Sequence, residues 1–382
     1  MSDRGALTGC WLDALDGLAE SRAKAGLTRQ LRPRPAGDAV VDLAGNDYLG
    51  LSDHPAVVEA AADALERYGL GATGSRLVRG STEAHAALES DLAAWLRTER
   101  ALVFSSGYLA NLAAVRAMSA VCDLIVSDAY NHASLIDGCK LAGRPAIVAP
   151  HNDPAAVAKI LRAHPAQRAV VVTESVFSVD GDLAPLAALH EITTAHGALL
   201  LIDDAHALGV LGPAGAGAVA AAGLSDVVVT ATLSKSLGGA GGIVAGPEPF
   251  IRHLIETART FIYDTALPPA VVAGVSAAVR LARAAGRKRA LIAERAEQIV
   301  ARLGAAGVTV TRPAAAVLSV PAPGPEAAVA WAEDCRDRGV AVGCFRPPST
   351  PDGSSRLRLT LNAGVPPDDF ARALDVLVEC AP

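Results

Sequence analysis

From about residue 41 the chain alternates short, almost wholly apolar runs with longer alanine- and leucine-rich stretches of helical period. The runs are "RALVFS", "DLIVSD", "AIVAP", "RAVVVTES", "GALLLIDD", "DVVVTAT" and "GGIVAG". Apolar at nearly every position rather than every second one, they predict strands buried on both faces, and the helical spacers predict a largely parallel sheet between helices. Small and polar residues gather where the runs end, which is where open α/β sheets bind ligands. Upstream, Trp11, Leu12, Leu15 and Leu18 recur at helical spacing and predict an amphipathic helix over residues 10–30, ending before Pro33 and Pro35. Downstream, a helical pattern over 270–304 leads to "GVTVTRPAAAVLSVPAP", a helix in "PEAAVAWAEDCRDRG", then "VAVGCF", "SRLRLTLN" and a last helix near 367–380. The expected organisation is an N-terminal helical arm (1–42), a large α/β domain (43–275) and a small α+β C-terminal domain (276–382).

Composition narrows the picture. The 382 residues are 51% hydrophobic, yet no window reaches the ~18 to 20 continuous apolar residues of a membrane span, so no membrane partner is expected. A formal charge of -6 leaves no broad basic face, so nucleic acid is not expected either, although a local basic pocket for an acidic ligand is allowed. Cys10, Cys122, Cys139, Cys335, Cys344 and Cys380 are scattered without metal-ligand spacing, which points to core thiols in a reducing compartment and to no metal. The N-terminus has neither the pattern of a signal peptide nor that of a transit peptide, so a cytoplasmic protein is expected.

One glycine pattern misleads. "GLGATG" (69–74) satisfies G-x-G-x-x-G, but it follows a helical pattern, whereas a dinucleotide fingerprint needs strand, turn and helix. The chemistry lies later. "LLLIDDAHALG" ends a buried strand on Asp203 and Asp204, and two carboxylates there require partners. A protonated heterocyclic nitrogen is one such partner, and an aspartate facing a pyridinium keeps the ring an electron sink. Ala205 points to the same side as Asp203 and offers a flat floor, and His206 is within reach of a phenolic oxygen on such a ring. In "VVVTATLSKSLGGAGG" Lys235 stands at a crowded strand-to-loop turn, where desolvation would lower its pKa and ready it for Schiff-base chemistry. Thr232 and Ser234, with Ser106, Gly107 and Tyr108 of "FSSGYLAN" opening a helix, would cradle a phosphate. His132 of "SDAYNHASLIDG" could lie over the other face of the ring. Together these residues describe a site for pyridoxal 5'-phosphate.

The motifs "NDYLGL" (46–51), "GATGSRLVRGSTEAHAALE" (71–89), "NHASLIDG", "TESVFSVDGDLAPL" (173–186), "DDAHALGVLG", "TLSK" and "SRLRLTLNA" follow in the order found in the α-oxoamine synthases, fold-type-I pyridoxal phosphate enzymes, and the chain resembles that family over nearly its whole length. The resemblance implies a pyridoxal phosphate-dependent acyltransferase that condenses an amino acid with an acyl thioester and loses carbon dioxide. By the same resemblance Lys235 carries the cofactor, His132 stacks on it, Asp203 pairs with its ring nitrogen, Ser178 and His206 flank its phenolic oxygen, and Thr232 reaches the phosphate. Arg358 matches the arginine for the amino-acid carboxylate, although alternation leaves Arg356 open as well; Asn46 and Arg29 match positions along the substrate pocket and the thioester entrance.

"FIYDTALPP" (261–269) resembles the segment that reaches the phosphate of a neighbouring subunit, which implies a homodimer with interface sites. Asp264 stands where the family has a hydroxyl residue and would repel a phosphate; Thr265 beside it keeps a hydroxyl. Compact length, "TGSRLVRG" and "FRPPSTPDGSSRLRLTLNA" favour, within the family, L-alanine and a pimeloyl thioester of coenzyme A or of an acyl carrier protein, as in biotin synthesis. Glycine-using sister synthases are the alternative. An aminotransferase or lyase of the same fold, and a catalytically silent cofactor-binding protein, are the readings further off.

Overall fold

All seven apolar runs are strands of one sheet. In the computed structural model, which describes residues 3–308, 310–350 and 352–382, the eleven strands are β1 (Val41–Leu43), β2 (Arg100–Phe104), β3 (Leu124–Asp128), β4 (Ala146–Ala149), β5 (Ala169–Glu174), β6 (Leu199–Asp203), β7 (Val228–Thr232), β8 (Gly242–Gly246), β9 (Val317–Pro321), β10 (Val340–Phe345) and β11 (Arg356–Thr360). The large sheet has the order β2-β8-β7-β6-β5-β3-β4. Its inner pairs are parallel, and β8 runs antiparallel to both β2 and β7. Because β8 reverses against each neighbour, β2 points the same way as β3 to β7, and six C-terminal ends share one rim.

The strands pair where they do because their side chains have nowhere wetter to go. Every residue of β5 and of β7 is buried, and each fully buried Val, Leu or Ile contributes roughly 1.5–3 kcal/mol before chain entropy is counted. Helices close both faces. Gly107–Met118 turns Ala110, Ala113, Ala114 and Met118 to the sheet, while helices on the other side join the larger core with Leu88, Leu92 and Leu189.

The small sheet has the order β1-β10-β11-β9. Its first strand straddles the expected boundary at 42/43 between the helical arm and the large domain: Val41–Leu43 pairs in parallel with Val340–Val342. The expected boundary at 275/276 falls inside the helix Pro269–Ala284. The single pattern over 270–304 is in fact two helices, Pro269–Ala284 and Gly286–Ala305. Gly286 is a poor helix residue, and at the break Arg289 donates to the freed carbonyls of Ala282 (2.6 Å) and Arg283 (3.3 Å). The N-terminal helix likewise runs Asp3–Lys24 rather than to residue 30. Gly26, at φ +65°, ends it: Leu27 N–H returns to Arg22 C=O (2.8 Å) and Gly26 N–H to Ala23 C=O (3.0 Å), a Schellman closure. Trp11, Leu12, Leu15 and Leu18 are exposed on this helix. Among the described residues no helix is long and apolar enough to cross a membrane.

"GLGATG" follows the helix Pro55–Tyr68 and leads into the single π-helical turn Arg76–Gly80, so it lacks the strand a dinucleotide fingerprint requires. The tight approach is at Gly80, where a Cβ would lie 2.2 Å from Gly74 O.

Candidate active site

Three adjacent strand ends and two helix N-termini converge on a cavity of about 240 Å³. Glu174 ends β5, Asp203 ends β6, Thr232 ends β7, and His132 caps the helix that follows β3. Lys235, Ser106, Gly107, Tyr108, Ala205 and His206 complete the lining that matters for chemistry.

Asp203 and Asp204 separate as neighbours on a strand must. Asp203 turns into the cavity, buried, where Oδ2 accepts from Asn111 Nδ2 (2.7 Å) and Oδ1 from Ala205 N–H (3.0 Å). Asp204 turns the other way and is structural, accepting from Ser175 Oγ (2.5 Å) and Ala218 N–H (3.1 Å). Burial raises its pKa to about 6, against those hydrogen bonds.

Lys235 sets its amine 2.8 Å from His206 Nε2. Burial pulls the amine down to about 8; Asp203 and Glu174 oppose that, and the Arg358 charge assists it. The buried His206 is held well below the usual histidine range by desolvation and by the Lys235 and Arg358 charges. Its Nδ1 lies 2.7 Å from the hydroxyl of Tyr48, which is 3.1 Å from Asn46 Oδ1. Asn46 Oδ1 also accepts from Arg358 Nη2 (3.1 Å). A continuous hydrogen-bonded chain thus runs Lys235, His206, Tyr48, Asn46, Arg358. Since an amide oxygen only accepts, the assignment that satisfies every member has Tyr48 donating to Asn46, His206 Nδ1–H donating to Tyr48, and Nε2 accepting from Lys235.

Arg356 and Arg358 are told apart by their partners. Arg356 is paired with Asp180 and Asp352. Arg358 Nε donates to the Ser178 carbonyl (2.7 Å) and its guanidinium lies 5.3 Å from the Phe345 ring centre, with no carboxylate beside it among the described residues. Of the two, Arg358 is the one able to receive an anion.

The remaining expected residues lie farther out. Ser178 is not in the cavity wall and enters through its carbonyl on Arg358. Arg29 donates to Ser349 Oγ (3.1 Å) in a separate hollow that shares Phe345 with the Arg358 surroundings. Thr265 is exposed, on a segment bridged to Ser75. Asp264 accepts a hydrogen bond from Ser105. Three residues were not foreseen. Tyr48 and Asn111 complete the contacts just described, and Glu174 is a buried carboxyl with Oε2 accepting from Ser178 N–H (3.1 Å) and Oε1 unpartnered. Burial, reinforced by Asp203, holds Glu174 well above the usual carboxylate range, with Lys235 and two backbone N–H groups opposing. A strand buried at all six positions and ending in a carboxylate was the available signal, the same one that marked Asp203.

The wall matches a flat anionic cofactor with a basic ring nitrogen. Gly107 is where the helix Gly107–Met118 begins, and a Cβ there would stand 3.0 Å from Thr232 Cβ, so a side chain would crowd that end. The N-cap Ser106 satisfies Leu109 N–H (3.2 Å), leaving Gly107 and Tyr108 N–H free of intrahelical partners to meet phosphate oxygens. Thr232 and Ser234 hydroxyls pair at 2.7 Å on the same wall. A carboxylate, a depressed lysine and an anion cradle in one cavity fit pyridoxal phosphate.

The sequence profile of the family described as Aminotransferase class I and II matches residues 38–377. The 8-amino-7-oxononanoate synthase of Mycolicibacterium smegmatis is 52% identical over 372 residues, 97% of this chain and 96% of that protein. The chain belongs to this aminotransferase family, among its 8-amino-7-oxononanoate synthases. The enzyme of that name from Mycobacterium tuberculosis strain H37Ra is 49% identical, covering 97% of this chain and 94% of the relative. Among solved structures, serine palmitoyltransferase from S. paucimobilis, carrying a pyridoxal phosphate adduct of myriocin, superposes with TM-score 0.90 at 29% identity over 97% of each chain. The 8-amino-7-oxononanoate synthase of Francisella tularensis gives TM-score 0.75 at 27% identity over 89% of this chain and 97% of that one. A doubly covered, mostly parallel sheet with a small C-terminal domain is therefore the family's architecture as well as this chain's.

Proposed function

We propose that the chain is a pyridoxal phosphate-dependent acyltransferase that joins L-alanine to a pimeloyl thioester, giving 8-amino-7-oxononanoate, carbon dioxide and free thiol. The Cα–acyl bond forms as the thioester C–S bond breaks, the leaving thiolate takes a proton from solvent, and the bond from Cα to the carboxylate then breaks to release carbon dioxide. The observation that carries this reading is the single hydrogen-bonded chain from Lys235 to Arg358, which ties a proton-transfer amine to a carboxylate-binding guanidinium across one cavity.

Bound pyridoxal phosphate supplies a protonated ring that withdraws electron density from the amino-acid Cα. Asp203 keeps the ring nitrogen protonated, and Asn111 keeps Asp203 aimed. Ser106, Gly107, Tyr108, Thr232 and Ser234 hold the phosphate, and Ala205 and His132 bound the ring. Arg358, oriented by Asn46 and the Ser178 carbonyl, binds the alanine carboxylate, so that Cα is presented to Lys235 Nζ. Lys235 Nζ takes the Cα proton and later returns it. A base near 8 suits that exchange at neutral pH. His206, neutral and acceptor-competent at Nε2, holds the amine in place between transfers.

The acyl chain approaches past Arg29, beside Ser349, on a thioester of coenzyme A or of a carrier protein. A second copy of the chain completes the site: Thr265 is exposed on a segment bridged to Ser75, beside Asp264, which accepts from Ser105 next to the cradle residue Ser106, and exposed Val78 and Tyr263 flank the same two segments. The cytoplasm is the compartment in which such substrates and unpaired cysteines coexist. The test is thiol release by the cofactor-loaded protein with alanine, glycine and serine, each crossed with pimeloyl, acetyl, succinyl and palmitoyl thioesters. Release confined to alanine with the pimeloyl thioester is expected; a preference for glycine or for a palmitoyl thioester overturns the substrate assignment.

A further inference from the structure

One titratable cluster lies outside the cavity and has no part in the chemistry above. His151, just after β4, stands between two carboxylates, with Nδ1 2.9 Å from Asp128 Oδ1 and Nε2 2.9 Å from Asp182 Oδ2. A neutral imidazole has one N–H, and a carboxylate only accepts; hydrogen bonds at both ring nitrogens therefore require the imidazolium. The ring stacks on Tyr130 (centroids 4.1 Å apart, 13° between planes) and meets Phe177 edge-on at 4.4 Å. Asn152 braces both carboxylates, donating its N–H to Asp128 Oδ2 (2.9 Å) and its side chain to Asp182 Oδ2 (2.6 Å). Tyr130 N–H also bonds Asp128 Oδ1 (2.8 Å).

The groups facing the ring come from three segments. Asp128 ends β3 and Tyr130 belongs to the loop after it, Phe177 and Asp182 to the turn after β5, and Asn152 to the loop of His151 itself. Burial lowers the pKa of His151, but the bonds to Asp128 and Asp182 outweigh it and raise the group to about 9. What depends on this junction is the substrate end of the site. His132 follows Tyr130 by two positions. Ser178 follows Phe177, and its carbonyl seats Arg358 at 2.7 Å.

We propose that His151 is a positioning residue whose imidazolium, bridging Asp128 and Asp182, fixes the spacing between His132 and the seat of Arg358 and so sets affinity for the amino-acid carboxylate. This rests on the functional reading above. The experiment uses the holoenzyme and three variants, His151→Gln, Asp182→Asn and His151→Arg. L-Alanine affinity is read from the change in the bound cofactor's absorbance, alongside cofactor occupancy, KM and kcat. The glutamine of the first variant can bridge only one side, and the Asp182→Asn change removes a charge from the clamp. Alanine Kd and KM should therefore rise about 5- to 10-fold in both, with occupancy kept and kcat within about 2-fold. His151→Arg keeps a cation with several donors and should recover most of the affinity. Unchanged alanine Kd in Asp182→Asn, or equal losses in kcat and affinity, overturns the proposal.

Ring-labelled histidine NMR of the wild-type protein tests the bridge independently of catalysis. One imidazole should stay charged at about pH 8, where an ordinary histidine is neutral, and its signal should vanish in His151→Gln; its absence overturns the proposal. If the wild-type holoenzyme fails to bind any amino acid, the functional reading fails, whereas a wild type that binds alanine no better than Asp182→Asn condemns the clamp alone.

Discussion

Lys235 shares its hydrogen bond with an imidazole that is itself held neutral, and this decides how the amine behaves. Both groups are depressed by burial, and the positive charge of Arg358 bears on each. The sign follows directly: a lysine whose folded pKa is about 8 gains its free amine as pH rises through 8 rather than through its ordinary 10.5. Covalent capture of pyridoxal phosphate by the apoprotein, trapped with borohydride and weighed by mass spectrometry, should therefore rise with a midpoint near 8, and Lys235→Ala should capture none and turn over nothing. Tyr48→Phe removes the hydroxyl between His206 and Asn46. A buried group left unpaired costs about 1–3 kcal/mol, so kcat/KM should fall roughly 10- to 100-fold; an unchanged value would break the link drawn from Lys235 to Arg358. Asp203, His206 and Lys235 were legible in the sequence because a carboxylate at the end of a buried strand and a lysine in a small-residue turn are each costly without a partner. Tyr48 and Asn111 were not, because a tyrosine and an asparagine cost little on a surface, and only the fold shows that Asn111 is 2.7 Å from Asp203.

At the level of elements, runs such as "RAVVVTES" carried the large sheet plainly, since a strand buried on both faces can be little else at that length. Periodicity was weaker at helix ends. It could not show that Gly286 and the Arg289 side chain divide one helical pattern into two, nor that three residues, Val41–Leu43, pair with a strand about 300 positions away. The turn after β5 is the element on which the two sheets meet. Gly181 there has φ +74°, and a Cβ would lie 1.9 Å from the Val317 carbonyl of β9, while its own carbonyl accepts from Ala314 N–H (3.0 Å). Gly181→Ala combines left-handed strain with a backbone clash, so calorimetry should show a melting temperature lower by roughly 5 °C or more. The loop junction at His151 makes a different prediction. Its folded pKa of about 9 lies above the ordinary 6.5, so its contribution is fully present below pH 6.5 and is lost as pH rises through 9. The stability gap between wild type and His151→Gln should therefore be wider in mild acid than in strong alkali, by on the order of 1–2 kcal/mol at this partly solvated site.

At the scale of the whole molecule, the small sheet carries Arg358 and the large sheet carries the residues proposed to hold the cofactor, yet one expected contact points out of the chain. Thr265 is exposed, and Asp264 beside it is turned to Ser105, so the aspartate that departs from the family pattern has a hydrogen-bond partner within its own chain. That leaves the Thr265 hydroxyl as the group available to a phosphate in a second copy. The consequence is testable without a structure of the dimer. Thr265→Glu places a negative charge where a partner's phosphate would lie, and Lys235→Ala removes the base of its own site; each homodimer should be nearly inactive. In a hybrid, the site with an intact Lys235 receives Thr265 from the other chain and is complete, whereas the second site carries both defects. Equal mixing after dissociation gives hybrids as about half of all dimers, each with one working site, so activity should recover to about a quarter of the wild-type level. Recovery depends on chains exchanging, and it should therefore be absent when the two variants are mixed without a dissociation step. If Thr265→Glu alone stays fully active, or if mixing after exchange restores nothing, each site is built from one chain and the cross-subunit phosphate contact is wrong.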